Sequence, residues 1–316
     1  MMFRSSFGRL IVISLGCFLI AGLPVIAAEP LVTGDSTIVR DGVSIALHIP
    51  PSMQAPHGPS GILIFFGGKG DQLAHYQKSL TPISDALGMV VVIPHMPWFY
   101  QGPKISTATI YRILEQVVVD IEKQFQTDPH WLIIGGASAG GKGANEMAYM
   151  LSSKTALYML CSTGSFFDIK ALRTLHVVAD SEVAWLGAEG KSGNVLGKGR
   201  KDMFAIPGGE HSDQIPHFQV WLKTEMAVLR MERATQTMQE AEEKLRKGNA
   251  VQAQQILQST LASAQALNEP APDGDAFFQY EIKHRQELLA HYDSTIQSLK
   301  KLEAKTAAAI PGASTP

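Results

Sequence analysis

Short, uninterrupted apolar runs alternate with helical patterns between residues 61 and 229. Such runs are typical of strands that are buried on both faces of a sheet. The predicted strands cover residues 61–66, 89–93, 131–134, 156–161, 175–179 and 202–206. The clearest helix spans residues 107–125, where apolar residues recur at helical spacing and charged residues share the other side. This alternation predicts a mostly parallel sheet with helices on both faces.

The region before these strands predicts an edge hairpin. Asp41-Gly42 separates two short segments within residues 39–45. Asp-Gly favours the primed turns that join paired antiparallel strands. We therefore expect a hairpin at one edge of the sheet.

Composition changes near residue 224, where the strand patterns end. Residues 225–305 are rich in Ala, Gln, Glu, Lys and Leu. They predict three helices, one ending at Lys247, one over 249–267 and one over about 276–305, with breaks at Gly248 and at the proline-rich segment 270–274. The predicted organisation is an α/β domain over 29–224, a helical extension over 225–305 and a disordered tail over 306–316.

The first 28 residues predict a secretory signal peptide. Arg4 and Arg9 precede an uncharged apolar run, and small residues at 27–28 offer a cleavage site. An uncleaved anchor is one alternative, because the run is nearly long enough to span a bilayer. Lipidation at Cys17 is another. The favoured expectation is a secreted or periplasmic protein with no stable membrane span after cleavage.

Charge and cysteine content exclude several classes of function. The net charge of -2 in 316 residues gives no sign of a nucleic-acid partner. The two cysteines are Cys17 and Cys161, so the mature chain would hold one thiol and no internal disulfide. His211 and His217 are not at a metal-ligand spacing, and the 67–70 turn lacks the ending of a phosphate loop. We expect neither a metal nor a cofactor.

Gly136-x-Ser138-x-Gly140 stands between a predicted strand and a helical pattern. This is the context of a nucleophile elbow, in which a serine sits on a sharp strand-to-helix turn. The alternative is an ordinary tight turn, since the motif also occurs by chance in glycine-rich loops.

Four features follow predicted strands: the turn at 67–71, Ser138, Asp180 and His211. Ligands of parallel sheets bind at the carboxyl ends of the strands. A serine needs a base within reach and a third group to orient that base. The chain order of nucleophile, acid and histidine is the order that α/β-hydrolases use.

Residues 61–217 resemble the α/β-hydrolase superfamily, and are most similar to secreted esterases of the polyhydroxybutyrate-depolymerase and feruloyl-esterase type. The resemblance rests on Phe65-Phe66-Gly67-Gly68, on residues 85–94, on residues 136–141 and on Gly208-Gly209-Glu210-His211. It implies an α/β-hydrolase domain with Ser138 as nucleophile and His211 as base and then acid. It also implies the Ala139 N–H as one oxyanion donor and the N–H of Gly68, or of Lys69, as the second.

The sequence departs from the family at two places. The family usually has a histidine before the oxyanion glycines, and this chain has Phe66 there. Family members also tend to carry Gly-x-x-Asp after the penultimate strand, and this chain lacks that motif there.

We take Asp180 as the acid because it ends a strand about thirty residues before His211. Glu182 is the next choice, and Glu189 follows if residues 183–186 form the strand. The alternative to a catalytic role is that Asp180 only caps a helix or a turn.

His95, Trp98 and Phe99 follow a strand and are candidate substrate-binding residues, with an aromatic loop on the core as the alternative. Together these features predict a secreted serine hydrolase that cleaves a small-molecule or polymeric carboxylic ester. A peptidase or an acyltransferase could use the same residues. An inactive exported binding or assembly protein is the rival of another class, with the helical extension as its protein-contact surface.

Overall fold

The computed structural model describes residues 30–54, 60–70, 73–96, 105–125, 127–128, 131–161, 173–179, 182, 201–206, 211, 214–269 and 276–310. The predicted signal peptide lies outside these residues. None of the described helices combines the length and the apolar character needed to cross a membrane.

Eight strands and seven α-helices lie within the described residues. The strands are β1 (Gly34–Arg40), β2 (Val43–Ile49), β3 (Ile62–Phe66), β4 (Val90–Pro94), β5 (Leu132–Ala137), β6 (Thr155–Cys161), β7 (Arg173–Ala179) and β8 (Lys201–Ile206). The helices are α1 (Leu73–Leu87), α2 (Thr107–Phe125), α3 (Gly140–Met150), α4 (Gln214–Glu232), α5 (Ala234–Arg246), α6 (Ala250–Ala266) and α7 (Ala276–Ala308).

The strands form one sheet in the order β1-β2-β4-β3-β5-β6-β7-β8. Strands β3 to β8 are parallel to one another, whereas β2 is antiparallel to both β1 and β4. The predicted edge hairpin is confirmed. Its turn residues Asp41 and Gly42 both have positive φ, as a type I′ turn requires.

Alternate residues of the central strands pack on opposite faces of the sheet. In β3, Ile62, Ile64 and Phe66 join one apolar cluster with α2 and α3. Leu63 and Phe65 join the other cluster, with α1, α4 and the start of α7. The predicted fold class is therefore confirmed: a mostly parallel α/β sheet with helices on both faces, followed by C-terminal helices.

The start of α3 lies directly against the end of β3, and glycine makes this approach possible. A methyl group on Gly140 would lie 2.1 Å from the carbonyl oxygen of Phe66 and 2.5 Å from that of Gly67. One on Gly136 would lie 2.7 Å from the Gly140 carbonyl oxygen. Backbone atoms cannot retreat from such overlaps without moving the strand or the helix.

The C-terminal helices continue from the sheet layer without a break, because α4 runs through the predicted boundary at residue 224. A third apolar cluster joins the end of α4 to α5, α6 and α7. At the other end of α7, Phe277 and Phe278 belong to the apolar cluster that contains Leu63 and Phe65 of β3. Helix α7 ends at Ala308, beyond the predicted limit at residue 305.

A buried polar network joins α4 to α7. Thr224 donates to Glu281 at 2.6 Å, and Arg285 Nε donates to Thr224 at 2.9 Å. The Arg285 guanidinium also donates to the carbonyl oxygens of Val220 and Glu269. Burial lowers the pKa of Arg285, and the charges of Glu281 and Glu269 act in the opposite sense. Removing one member would leave the other charges buried without their partner.

Gly140→Ala should lower the free energy of unfolding by at least about 2 kcal/mol, because the added methyl overlaps two carbonyl oxygens of the β3 turn. Urea denaturation followed by circular dichroism measures this change. Lys142→Ala, at an exposed position of the same helix, is the control and should leave stability unchanged within about 0.5 kcal/mol. Equal stability of Gly140→Ala and the native protein would contradict the close contact between α3 and β3.

Arg285→Leu should lower the free energy of unfolding by about 3–5 kcal/mol, since it leaves Glu281 buried without the guanidinium. Pairing it with Glu281→Leu should recover part of the loss in the same urea titration. Lys283→Leu removes a cation from an exposed position of the same helix, and should change stability by less than about 1 kcal/mol. A loss no greater in Arg285→Leu than in this control would show that the network does not hold α7.

Candidate active site

Ser138 occupies the sharp turn between β5 and α3. Its φ is 52°, in the left-handed region that a non-glycine residue adopts only at a cost. Its N–H donates to the Cys161 carbonyl at 2.8 Å, and its own carbonyl accepts from the Gly141 N–H at 3.0 Å. These bonds fix the turn from the neighbouring strand and from the helix. The predicted strand–turn–helix arrangement around Ser138 is confirmed.

The amino end of α3 adjoins the serine. Ala139 is the N-cap residue, and no side chain of the described residues caps the helix there. The first N–H groups of a helix have no carbonyl partner within it, and they carry a partial positive charge. A negative charge that develops beside Ser138 would therefore meet backbone donors.

The turn after β3 lies on the other side of Ser138. Phe66 of β3 is in register with Gly136 of β5, which brings Gly67 and Gly68 beside the elbow. A methyl group on Gly68 would lie 3.2 Å from Ser138 Cβ. The Gly68 N–H donates to Tyr76 Oη at 3.2 Å. Lys69, the alternative donor residue, is exposed.

His211 contacts a carboxylate at the carboxyl end of β7. Its Nδ1 lies within hydrogen-bond distance of Glu182 Oε1. The other oxygen, Oε2, accepts the N–H of Ala179, the last residue of β7, at 3.0 Å. The Glu182 side chain is 20% exposed and that of His211 is 58% exposed. The end of a sheet strand therefore anchors the carboxylate that holds the imidazole.

Asp180, the acid favoured from sequence, and Glu189 both lie outside the described residues. The carboxylate in contact with His211 belongs to Glu182, the second choice. Among the described residues, no hydrogen bond joins Ser138 Oγ to His211. Catalytic hydrogen bonds are often long before a substrate binds.

Cys161, next to the elbow, is a poor rival nucleophile. It ends β6 in register with Ala137, and its side chain is buried. Burial raises the pKa of its thiol to about 12, which keeps the thiol protonated near neutral pH. A thiol reacts as its thiolate, so Cys161 is inert in the folded chain.

Of the predicted substrate-binding residues, only His95 is described. It follows β4, is half-buried and donates its N–H to the Ser44 carbonyl at 2.8 Å. Trp98 and Phe99 lie outside the described residues. Within the described ranges, no three His, Cys, Asp or Glu side chains lie close enough together to share a metal ion.

Tyr76 is not among the residues predicted from the sequence, yet its hydroxyl contacts the turn formed by Gly67 and Gly68 after β3. Helical spacing places Tyr76 on the same face of α1 as the buried Leu80, Ile83 and Leu87. That periodicity could have indicated an inward-facing side chain at the amino end of α1. It carries no information on the contact with Gly68.

No protein-family model and no curated protein matches this sequence significantly. Solved structures that this chain matches include a poly(3-hydroxybutyrate) depolymerase from Bordetella parapertussis, at 13% identity and a TM-score of 0.43 over 60% of this chain and 88% of that one. An S-formylglutathione hydrolase from Staphylococcus aureus gives 12% identity and a TM-score of 0.46 over 61% and 96%. A hyperthermophilic esterase from the archaeon Pyrobaculum calidifontis gives 14% identity and a TM-score of 0.44 over 57% and 77%.

Matches with such low identity and TM-scores do not indicate an activity for this chain. The narrower resemblance to polyhydroxybutyrate depolymerases and feruloyl esterases therefore stays a prediction. The fold itself follows from the strand order, from the elbow after β5 and from the positions of Glu182 and His211 after β7 and β8. On these grounds, the described residues have the fold of the α/β-hydrolases.

Proposed function

We propose that the protein is a serine hydrolase that cleaves carboxylic esters through an acyl-enzyme on Ser138. The observation that carries the proposal is the positive φ of Ser138 at the junction of β5 and α3. Backbone strain of 1–3 kcal/mol at a single residue persists only where the surrounding structure enforces it, and such residues cluster at functional sites. A serine in this conformation presents its hydroxyl at the carboxyl edge of the sheet, where ligands bind.

The histidine–carboxylate pair supports the roles of base and orienting acid. With a Glu182 carboxylate oxygen at Nδ1 of His211, the neutral imidazole would carry its proton on Nδ1 and leave Nε2 as the acceptor. His211 Nε2 would take the proton of Ser138 as Oγ attacks the acyl carbon, and would then give it to the leaving alcohol. Water, activated by the same nitrogen, would release the acid and restore the serine.

The developing oxyanion has two backbone donors in this scheme. The Ala139 N–H lies at the start of α3, and the Gly68 N–H lies on the turn after β3. Donors that are fixed before the reaction need no reorganisation as charge develops, and one such donor is typically worth about 10²–10³ in rate.

The proposal includes export from the cytoplasm, supported by the signal-peptide pattern in residues 1–28.

The substrate would be a small-molecule or polymeric ester, and the proposed catalytic residues need no resident cofactor or metal. The exposed faces of α5 to α7 are the candidate surface for a protein partner. A peptidase or acyltransferase would use the same three residues, so a panel of ester, amide and acyl-acceptor substrates separates these activities.

A fluorophosphonate probe should label the native protein and release fluoride as it bonds to Ser138 Oγ. Ser138→Ala should lose the label while keeping its circular dichroism spectrum. Ser152→Ala, at an exposed position just after α3, is the matched control and should be labelled like the native protein. If folded native protein takes up no probe, the proposed function is wrong.

Glu182→Gln should lower kcat for a p-nitrophenyl ester by about 10²–10⁴, with a smaller change in KM, because the amide can no longer hold His211 in the required tautomer. Steady-state kinetics near neutral pH give both constants. The same measurement on Asp180→Asn decides between the two carboxylates. A large loss in Asp180→Asn and none in Glu182→Gln would contradict the role of Glu182.

A further inference from the structure

The ring of Tyr76 packs against the glycine turn. Tyr76 belongs to the first turn of α1 and is half-buried. Its ring centroid lies 5.2 Å from that of Phe65 in β3. A methyl group on Gly67 would lie 2.9 Å from Tyr76 Cε2, so a larger residue there would have to displace the ring. The packing of β3 and α1 therefore sets the direction of the side chain.

The hydroxyl of Tyr76 and the side chain of Ser138 both lie close to Gly68. Tyr76 Oη accepts the Gly68 N–H at 3.2 Å. The position that a methyl group would take on Gly68 lies 3.1 Å from Tyr76 Oη and 3.2 Å from Ser138 Cβ. Tyr76 Oη and Ser138 Cβ therefore both lie near one point beside Gly68. If Ser138 is the nucleophile, the carbonyl oxygen of its substrate would lie close to this point.

A phenylalanine would fill the same packing against Phe65 and Gly67, so these two contacts do not require the hydroxyl. The hydroxyl can accept one hydrogen bond and donate another. In the free protein it accepts from Gly68. Once the Gly68 N–H donates to a developing oxyanion, the hydroxyl lies next to a negative charge, and its proton is the part that can stabilise that charge.

We propose that Tyr76 Oη is a third oxyanion donor, beside the N–H groups of Gly68 and Ala139. The proposal rests on the proposed function of Ser138. As Ser138 Oγ bonds to the acyl carbon, the π electrons of the carbonyl move to its oxygen and the serine proton passes to His211 Nε2. Tyr76 keeps its own proton and donates a hydrogen bond to the new oxyanion, which it releases when the carbonyl reforms. Tyr76 is thus a catalytic residue that strengthens its contact only in the transition state.

Tyr76→Phe tests this role, because it removes the hydroxyl and keeps the ring. We expect kcat/KM for a p-nitrophenyl ester to fall by about 10–10³, mostly in kcat. Affinity for a trifluoromethyl ketone, which forms a tetrahedral oxyanion adduct with the serine, should fall by a similar factor. The variant should keep the native circular dichroism spectrum and a cooperative urea transition, which separates the effect on catalysis from a loss of folding.

Tyr149→Phe, the same substitution at an exposed position of α3, is the matched control and should keep native kinetics. Native-like or faster hydrolysis by Tyr76→Phe would overturn the inference, since the hydroxyl would then only shape or fill the oxyanion site. A rise in KM at constant kcat would also overturn it, because it would assign the hydroxyl to substrate binding. If the native protein neither takes up fluorophosphonate nor cleaves esters, the proposed function itself fails, whereas labelled and active native protein confines any failure to Tyr76.

Discussion

The candidate site depends on the contact between the first turn of α3 and the end of β3. Gly140 lies so near the carbonyl oxygens of Phe66 and Gly67 that no side chain fits between them. The contact holds the serine turn and the glycine turn at a fixed distance. If α3 stood further away, Ser138 and Gly68 would no longer lie side by side, and the proposed oxyanion donors would not meet the oxygen that the proposed attack of Ser138 creates.

The strain at Ser138 is offset by its neighbours on two sides. Strand β6 accepts the Ser138 N–H through Cys161, and α3 returns a hydrogen bond from Gly141 to the serine carbonyl. Both partners are backbone groups of elements whose own hydrogen bonds and packing are set by the sheet. The φ of 52° is therefore held by β6 on one side and by α3 on the other, and the serine at this turn is half-buried.

The strands and helices could be predicted because each buried strand and each amphipathic helix has a characteristic spacing of apolar residues in its own stretch of sequence. The elbow was predictable for the same reason, since glycines, serine and helix start are contiguous in sequence. The acid was not, because Asp180, Glu182 and Glu189 lie in one short stretch of the sequence, and only a three-dimensional structure shows the contact of Glu182 with His211. Asp180 and Glu189 lie outside the described residues. Tyr76 was missed because its proposed role depends on a contact between α1 and the turn after β3, and no local pattern in the sequence indicates that contact.

The C-terminal helices are packed into the layer that carries Tyr76. Phe278 of α7 stacks on His217 of α4 with centroids 4.6 Å apart. The next residue, Phe218, lies 5.9 Å from Phe65, which in turn lies 5.2 Å from Tyr76. Gln219 of α4 also donates to the carbonyl of Ser79 in α1 at 2.7 Å. The position of α1, and with it that of the Tyr76 hydroxyl, therefore rests on α4 and α7.

A cut at residue 224 would end α4 midway and remove two aromatic side chains from this layer. Such a truncation would alter the support of the site, and would not simply remove a separable arm.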